Sequence, residues 1–437
     1  MPVLGDENQV EVQGENAVSA GAKVAVFSHE AKYALRVQLR YNYRLYPTPG
    51  QEQALARAFG CARMVFNDAL AARKAAHEAG EPYISDLQMS ARLTAAKATP
   101  QRAWLGEVSS VVLQQALADL NAAYRNFLAS VTGRRKGRKV AAPRFRSRKD
   151  SRQAIRFTLN ARFKVLANGK LRLPKVGDVP VRWSRALPSE PSGVTVVKDA
   201  AARYFASFVV EVAEVALPAS ERAVGIDLGL ACFAVLSDGT KVGAPQFLRR
   251  AQVRLKRAQR DLSRKQKGSA NRQKARVRVA RAHARVADSR RDFHHQLSTA
   301  LIRENQAVAV EDLAVIGLAR TRLAKSVHDA GWSAFVAMLE YKARLHGRAF
   351  VKIGRFEPTS QVCSACGVED GPKPLHVREW TCGGCGAKHD RDVNAAVNVA
   401  KAAGLAVAAC GAPVRPGAIS AGRGEAGTLP KPRRNAA

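Results

Sequence analysis

Acidic residues are the first shortage in this chain. Its 437 residues hold 36 Asp plus Glu against 71 Lys plus Arg, a formal net charge of +35. Solubility requires far less charge of one sign. One reading is general stickiness or thermal adaptation. The reading we follow is a long polyanionic partner, because each neutralised phosphate releases a counterion and adds affinity. Long apolar runs are also missing. The longest candidate, AAGLAVAAC at 402–410, falls well short of the roughly 18 residues of a membrane span. Cysteines number seven. An odd count, with no signal-peptide pattern at the start, argues against a secreted disulfide scaffold and for a reducing, cytoplasmic setting. No internal repeat is visible.

What is present suffices for folding. Hydrophobic residues make up 46%, and the length predicts two or three domains. Residues 1–32 show no period and read as a flexible leader. From Tyr33, YALRVQLRYNYRLYPT alternates apolar and polar residues as a half-wet strand does. Thr48 and Pro49, followed by Gln51, are a helix-start signature. Helical periods run to about Ser130, strongest in SSVVLQQALADLNAAYRNFLA. A basic connector follows at 133–153, then strands from Ile155 to Val215, with a hairpin turn expected at Asn168-Gly169. AVGIDLGLACFAVLSDGTKVG predicts two more strands. Residues 249–291 hold 17 Lys or Arg and two acids, Asp261 and Asp288, and GSAN at 268–271 should break them into a helical hairpin. From Gly404 the Ala-, Gly- and Pro-rich tail reads as disordered.

Two acids stand out against this basic background. Asp227 ends an apolar strand in VGIDLGL, and Glu311 ends another in VAVEDLAV. An Asp-x-Gly turn is often purely structural, but an acid inside an apolar run is costly to bury unless paired or bound to a cation. Asp390 and Asp392 follow the last cysteine pair. Carboxylates brought together repel one another and raise their own pKa values, a penalty that divalent cations remove. Hard Mg²⁺ or Mn²⁺ suits oxygen ligands, and two such ions support phosphodiester hydrolysis. Four cysteines, Cys363, Cys366, Cys382 and Cys385, form two Cys-x-x-Cys pairs, which predicts a structural zinc site; an iron–sulfur cluster is the alternative. His376 and His389 lie nearby, and neither is needed as a ligand.

Taken in order, VGIDLGL, VAVEDLAV and CSACG…WTCGGCG…DRDVNAAVN resemble the split RuvC-like nuclease of the TnpB family. These are RNA-guided, transposon-encoded DNA endonucleases related to compact type V CRISPR effectors. NYRLYPTPGQEQALARAFGCARMVFN, PRFRSRKDSRQAIRF and SVHDAGWSAFVAMLEYKA extend the likeness over roughly 33–402. The resemblance implies that Asp227, Glu311 and Asp392 hold catalytic Mg²⁺ or Mn²⁺. Asp392 is preferred to Asp390 because it precedes the stretch Val393-Asn394-Ala395-Ala396.

The resemblance also implies an α/β multidomain protein with a ribonuclease-H-like (RuvC) nuclease domain and an inserted zinc-binding segment, plus a β-rich wedge domain carrying a helical recognition domain. The wedge would take 33–48 and 131–220, and the recognition domain 49–130. The nuclease would take 221–354 and 386–403, including the basic hairpin 249–291. The zinc segment would be 355–385 and the tail 404–437. Guide RNA and double-stranded target DNA are the implied partners, in the bacterial cytoplasm near the nucleoid, with no membrane. Ser109, Ser110, Gln114 and Gln115 could read a short motif beside the target or form an ordinary wet helix face. Arg144, Arg146, Arg152 and Arg156, with Phe145 interleaved, are candidate phosphate contacts. Arg391 either holds the scissile phosphate or sits in solvent. A compact CRISPR effector and an RNA-guided repressor with little cleavage are the rival readings.

Overall fold

The computed structural model describes residues 36–405 except 375. The expected leader, and nearly all of the expected tail, lie outside the described residues. Contacts divide the chain into two compact units. One runs to Ala216 and includes Gln246–Leu297 and Ser333–Gly347; the other holds Leu217–Pro245, Ser298–Trp332 and residues from Arg348 on.

The first unit begins with β1 (Arg36–Leu45), in which Tyr43 and Leu45 are buried. Alternation along the strand sends every second side chain to one face. Thr48 then caps α1 (Pro49–Glu78) in a reciprocal capping box with Gln51, and Pro49 supplies the preset first turn. α2 (Asp86–Ala98) starts the same way from Ser85 and Gln88. α3 (Ser110–Val131) buries Val112, Leu113, Ala116, Leu117 and Leu120, a single stripe at helical spacing. Residues 133–152 have no helix or strand.

Strands β2 (Gln153–Thr158), β3 (Lys164–Val165), β4 (Lys170–Leu173), β5 (Gly177–Arg182), β6 (Gly193–Lys198) and β7 (Tyr204–Ala213) complete an antiparallel sheet ordered β2-β6-β7-β1-β5-β4-β3. Gly169 takes φ +74° in the β3–β4 turn, the conformation the Asn-Gly pair predicts. One core joins this sheet to α1 and α3, through Phe66 and Leu113 on the helices and Phe157 and Phe208 on the strands.

The second unit is built on β8 (Ala223–Asp227), β9 (Cys232–Leu236) and β10 (Lys241–Gly243). The stretch read as two strands is therefore three. The basic region forms α4 (Phe247–Ser263) and α5 (Ala270–Glu304), separated at the predicted break. Both fall largely in the first unit by their contacts. Their charge pattern carries no information about which core they join. Next come β11 (Ala307–Glu311), α6 (Val315–Leu318), α7 (Ala324–Ala330), α8 (Trp332–Leu345) and β12 (Ala349–Ile353). β13 (Glu379–Thr381) and β14 (Lys388–Asp390) make a small antiparallel ribbon, and α9 (Arg391–Ala402) follows.

The five-stranded sheet is ordered β10-β9-β8-β11-β12. β8, β11 and β12 are parallel, β9 runs against them, and β10 reverses again. α9 lies on β8 at unusually close range. A Cβ on Gly225 would meet the Ala396 carbonyl oxygen at 2.2 Å and the Ala400 nitrogen at 2.6 Å. These are backbone atoms and cannot swing aside. Gly225→Ala is therefore expected to cost about 3 kcal/mol of stability, because α9 must lift off the sheet. Gly243→Ala, where a Cβ meets nothing within 4 Å, is the control and should change stability by no more than about 0.5 kcal/mol. Denaturant unfolding of both variants checks this.

Candidate active site and metal centre

The parallel pairing brings two acids side by side. Val310 pairs with Ile226 across β11 and β8. The next residue on each strand is an acid, Glu311 and Asp227, so both sit at the carboxyl edge of the sheet. Ligand sites form at that edge in open α/β sheets because the loops leaving it diverge. Asp392 is the second residue of α9, and α9 packs on β8, so the third carboxylate arrives from above the same edge.

Electrostatics record the meeting. The Asp227 carboxyl is pushed up to about 7, chiefly by burial and then by the negative charges of Glu311 and Asp392; Arg391 partly offsets them. A buried carboxylate that feels two others in this way is poorly matched to water and well matched to a hard cation.

Asp390 plays a different part. Its side chain accepts the Asp392 and Val393 N–H groups at 3.1 and 3.0 Å, capping α9. It also pairs with Lys241 at 2.5 Å. Burial alone would raise its carboxyl, but Lys241 and the capping N–H groups outweigh that and hold it below the usual range. Asp390 is thus spent on structure.

Four further contacts join residues distant in sequence. Thr359, buried, donates its hydroxyl to Glu311. Arg378 reaches Asp392 at 3.3 Å. Asn394 and Asn398, one turn apart on α9, donate to the Val362 carbonyl at 2.8 and 2.7 Å. The signal for the last pair was present as the i, i+4 asparagines of DVNAAVNVA, which would be unusual on a merely wet or merely apolar face.

The four cysteine sulfurs lie within 4.8 Å of one another. Cys363 and Cys385 are 3.7 Å apart, as are Cys366 and Cys382. A tetrahedron with Zn–S bonds of about 2.3 Å has edges of about 3.8 Å, so these two sulfur pairs already lie at zinc spacing, in a set that could hold the ion. The Gly384 N–H donates to the Cys382 sulfur at 3.3 Å. His389 places Nε2 3.0 Å from the Cys363 sulfur. It lies against a thiol of a four-sulfur set that is complete without it. Among the described residues, no other group of three or more His, Cys, Asp or Glu is drawn together as tightly.

The candidate nucleic-acid residues divide. Ser110, Arg144 and Arg152 are exposed. Ser109 precedes α3 without making a side-chain cap, and Gln115 is half-buried. Gln114 donates to Ser90 at 3.0 Å. Arg146 and Arg156 both pair with Asp119 on α3, at 3.2 and 2.8 Å, and Arg146 also stacks over Phe66. These two arginines pin the connector and the following strand to α3. Phe145 stays 51% exposed with the Lys74 ammonium above its ring, a surface on which a base could stack. Arg391 donates to the Pro374 carbonyl at 2.9 Å.

Comparison with known proteins follows this geometry. Residues 207–322 match the IS605 OrfB family, described as "Probable transposase". Residues 332–399 match the Cas12f1-like TNB domain. Residues 37–82 match the family's "Helix-turn-helix domain", although here they form β1 and one unbroken helix, α1. A protein of Streptomyces pristinaespiralis is 47% identical, covering 91% of this chain and 97% of its own length. InsQ of Escherichia coli K12 is 33% identical, covering 86% and 95%. Both carry the name "Putative RNA-guided DNA endonuclease". A chain in the cryo-EM structure of the Cas12f1-sgRNA-target DNA complex shares the mixed α/β fold, with TM-score 0.50, 10% identity, and coverage of 83% of this chain and 98% of that one. The match along nearly the whole length of these relatives makes the chain a member of the TnpB family.

Proposed function

We propose that the chain is an RNA-guided DNA endonuclease. What supports this is the pair of acids at neighbouring strand ends, Asp227 and Glu311, with Asp392 adding its charge to theirs, in a protein of net charge +35. The basic stretches suit a polyanion, and the acids form a place suited to cutting it. In this reading the second unit is a ribonuclease-H-like nuclease domain. The first unit carries wedge and recognition functions.

Asp227, Glu311 and Asp392 would hold Mg²⁺ or Mn²⁺, which supplies an activated water and stabilises the leaving oxygen when bound. The protein's own contribution is positioning. β8 and β11 fix two carboxylates in register, and α9 fixes the third. Burial keeps Asp227 short of water, so a cation rather than solvent satisfies its charge. Arg391, close enough to lower the Asp227 carboxyl, can neutralise a phosphate at the same edge. The four cysteines would hold a structural zinc. No helix among the described residues is long and apolar enough to cross a membrane.

Guide RNA supplies the sequence specificity. A net +35 can hold more phosphate than one short duplex offers, and the basic stretches at 133–153 and 249–291 are separate in the chain. Base pairing then selects the target, and the protein reads duplex shape and a short adjacent motif. RNA-free protein, given DNA and Mg²⁺, should not cut site-specifically. Cleavage should appear on adding the RNA encoded beside the gene and move when the guide segment is changed. Site-specific cutting by the RNA-free protein would favour an autonomous nuclease. A repeat array beside the gene, in place of a transposon end, would favour the compact CRISPR effector.

A further inference from the structure

Glu311 does not stand alone at the end of β11. The Thr359 hydroxyl donates to its Oε1, and Thr359 is itself buried. The Thr359 backbone is held from the opposite side. Its carbonyl accepts the Asn398 amide at 2.8 Å and the Asn394 amide at 3.4 Å. Asn394 also accepts the Ser364 N–H at 2.8 Å, one residue past the first cysteine. A continuous chain of hydrogen bonds therefore runs from α9, through Thr359, to the Glu311 carboxylate. The same helix carries Asp392 and lies on β8, which carries Asp227.

A carboxylate on a strand end can rotate about its side-chain torsions. A buried hydroxyl fixed at both ends removes that freedom and leaves the second carboxylate oxygen available. An apolar residue at 359 would fill the space equally well but could not donate. We infer that Thr359 is a positioning residue: it sets the Glu311 carboxylate relative to Asp392, and Asn398 sets Thr359. This rests on the reading of Glu311 as part of the catalytic centre. Hydrogen-bond partners one step behind a metal-binding carboxylate commonly contribute about 10- to 100-fold in metal affinity or activity.

The test compares Thr359→Val, which keeps the shape and loses the donor, with Thr359→Ser, which keeps the donor. Each is measured for guided cleavage against Mg²⁺ concentration, for Mn²⁺ binding by electron paramagnetic resonance, for zinc content and for guide-dependent DNA binding. Thr359→Val should weaken Mn²⁺ binding and raise the half-saturating Mg²⁺ about tenfold or more, with zinc and DNA binding unchanged. Thr359→Ser should stay within about threefold of the parent. Wild-type metal response in Thr359→Val overturns the inference. Loss of zinc or of DNA binding in both Thr359→Val and Thr359→Ser would assign the residue to folding and also overturn it. Glu311→Gln separates the two layers. If Glu311→Gln cuts normally, the reading of the catalytic centre fails. If it is inactive while Thr359→Val is normal, only the positioning role fails.

Discussion

Asp392→Ala is expected to lower guided DNA cleavage by at least about a thousandfold, with guide-dependent DNA binding retained. Asp390→Asn, two residues away, should leave cleavage within a few-fold. The two aspartates are neighbours in sequence and opposites in environment. Asp392 is one of the charges that push Asp227 up to about 7, and Asp390 is not among them. Asp390 is satisfied by two N–H groups and by Lys241. An asparagine there keeps a cap acceptor and gives up an ion pair that is partly exposed, so the cost is about 1 kcal/mol or less. Removing Asp392 leaves the proposed cation site with two of its three carboxylates and frees Arg378 from its partner. Single-turnover cleavage and a filter-binding assay separate the two effects. Full cutting by Asp392→Ala, with loss in Asp390→Ala, would mean that the wrong aspartate has been assigned.

Removing zinc should be nearly as damaging, for a different reason. The cysteine segment has a core of three buried residues, Cys363, Trp380 and Cys382, with Val377 against them. So small a cluster cannot offset the entropy of ordering the surrounding loops. Structural zinc contributes folding free energy directly, on the order of 10 kcal/mol in small zinc modules. The purified chain should contain about one zinc, and Cys382→Ser should lose it. Cleavage should then fall about 100-fold or more, because Asn394 and Asn398 tie the segment to α9. Hydrogen exchange should rise across 359–390 and remain low across β6 and β7. A zinc-free preparation of full activity would remove the claim.

Much of this organisation was visible in the residues themselves. Thr48, Pro49 and Gln51 announce a helix start, Asn168-Gly169 announces a turn, and GSAN separates two helices. Each is local, and local chemistry decides it. The carboxylate edge was legible because an acid ending an apolar strand is expensive without a purpose. What stayed hidden depends on partners distant in sequence. The period of α5 continues to Glu304, but the reading followed charge and stopped at 291. Arg146 and Arg156 looked free for phosphate, and nothing local shows that Asp119 already holds both. Thr359 resembles any loop threonine until β11 lies beside it.

The contact at Gly225 has a consequence for synthesis. Its two sides come from β8 and α9, which leave the ribosome far apart in time. At about 5–20 residues per second, folding units form as they emerge. The basic surfaces at 133–153 and 249–291 are translated before the third carboxylate. On the proposed reading of the site, a nascent chain acquires the means to hold nucleic acid before it can hydrolyse it, and a product truncated before α9 has no complete centre. Hydrolytic competence would then be conferred late, by the docking of one short helix.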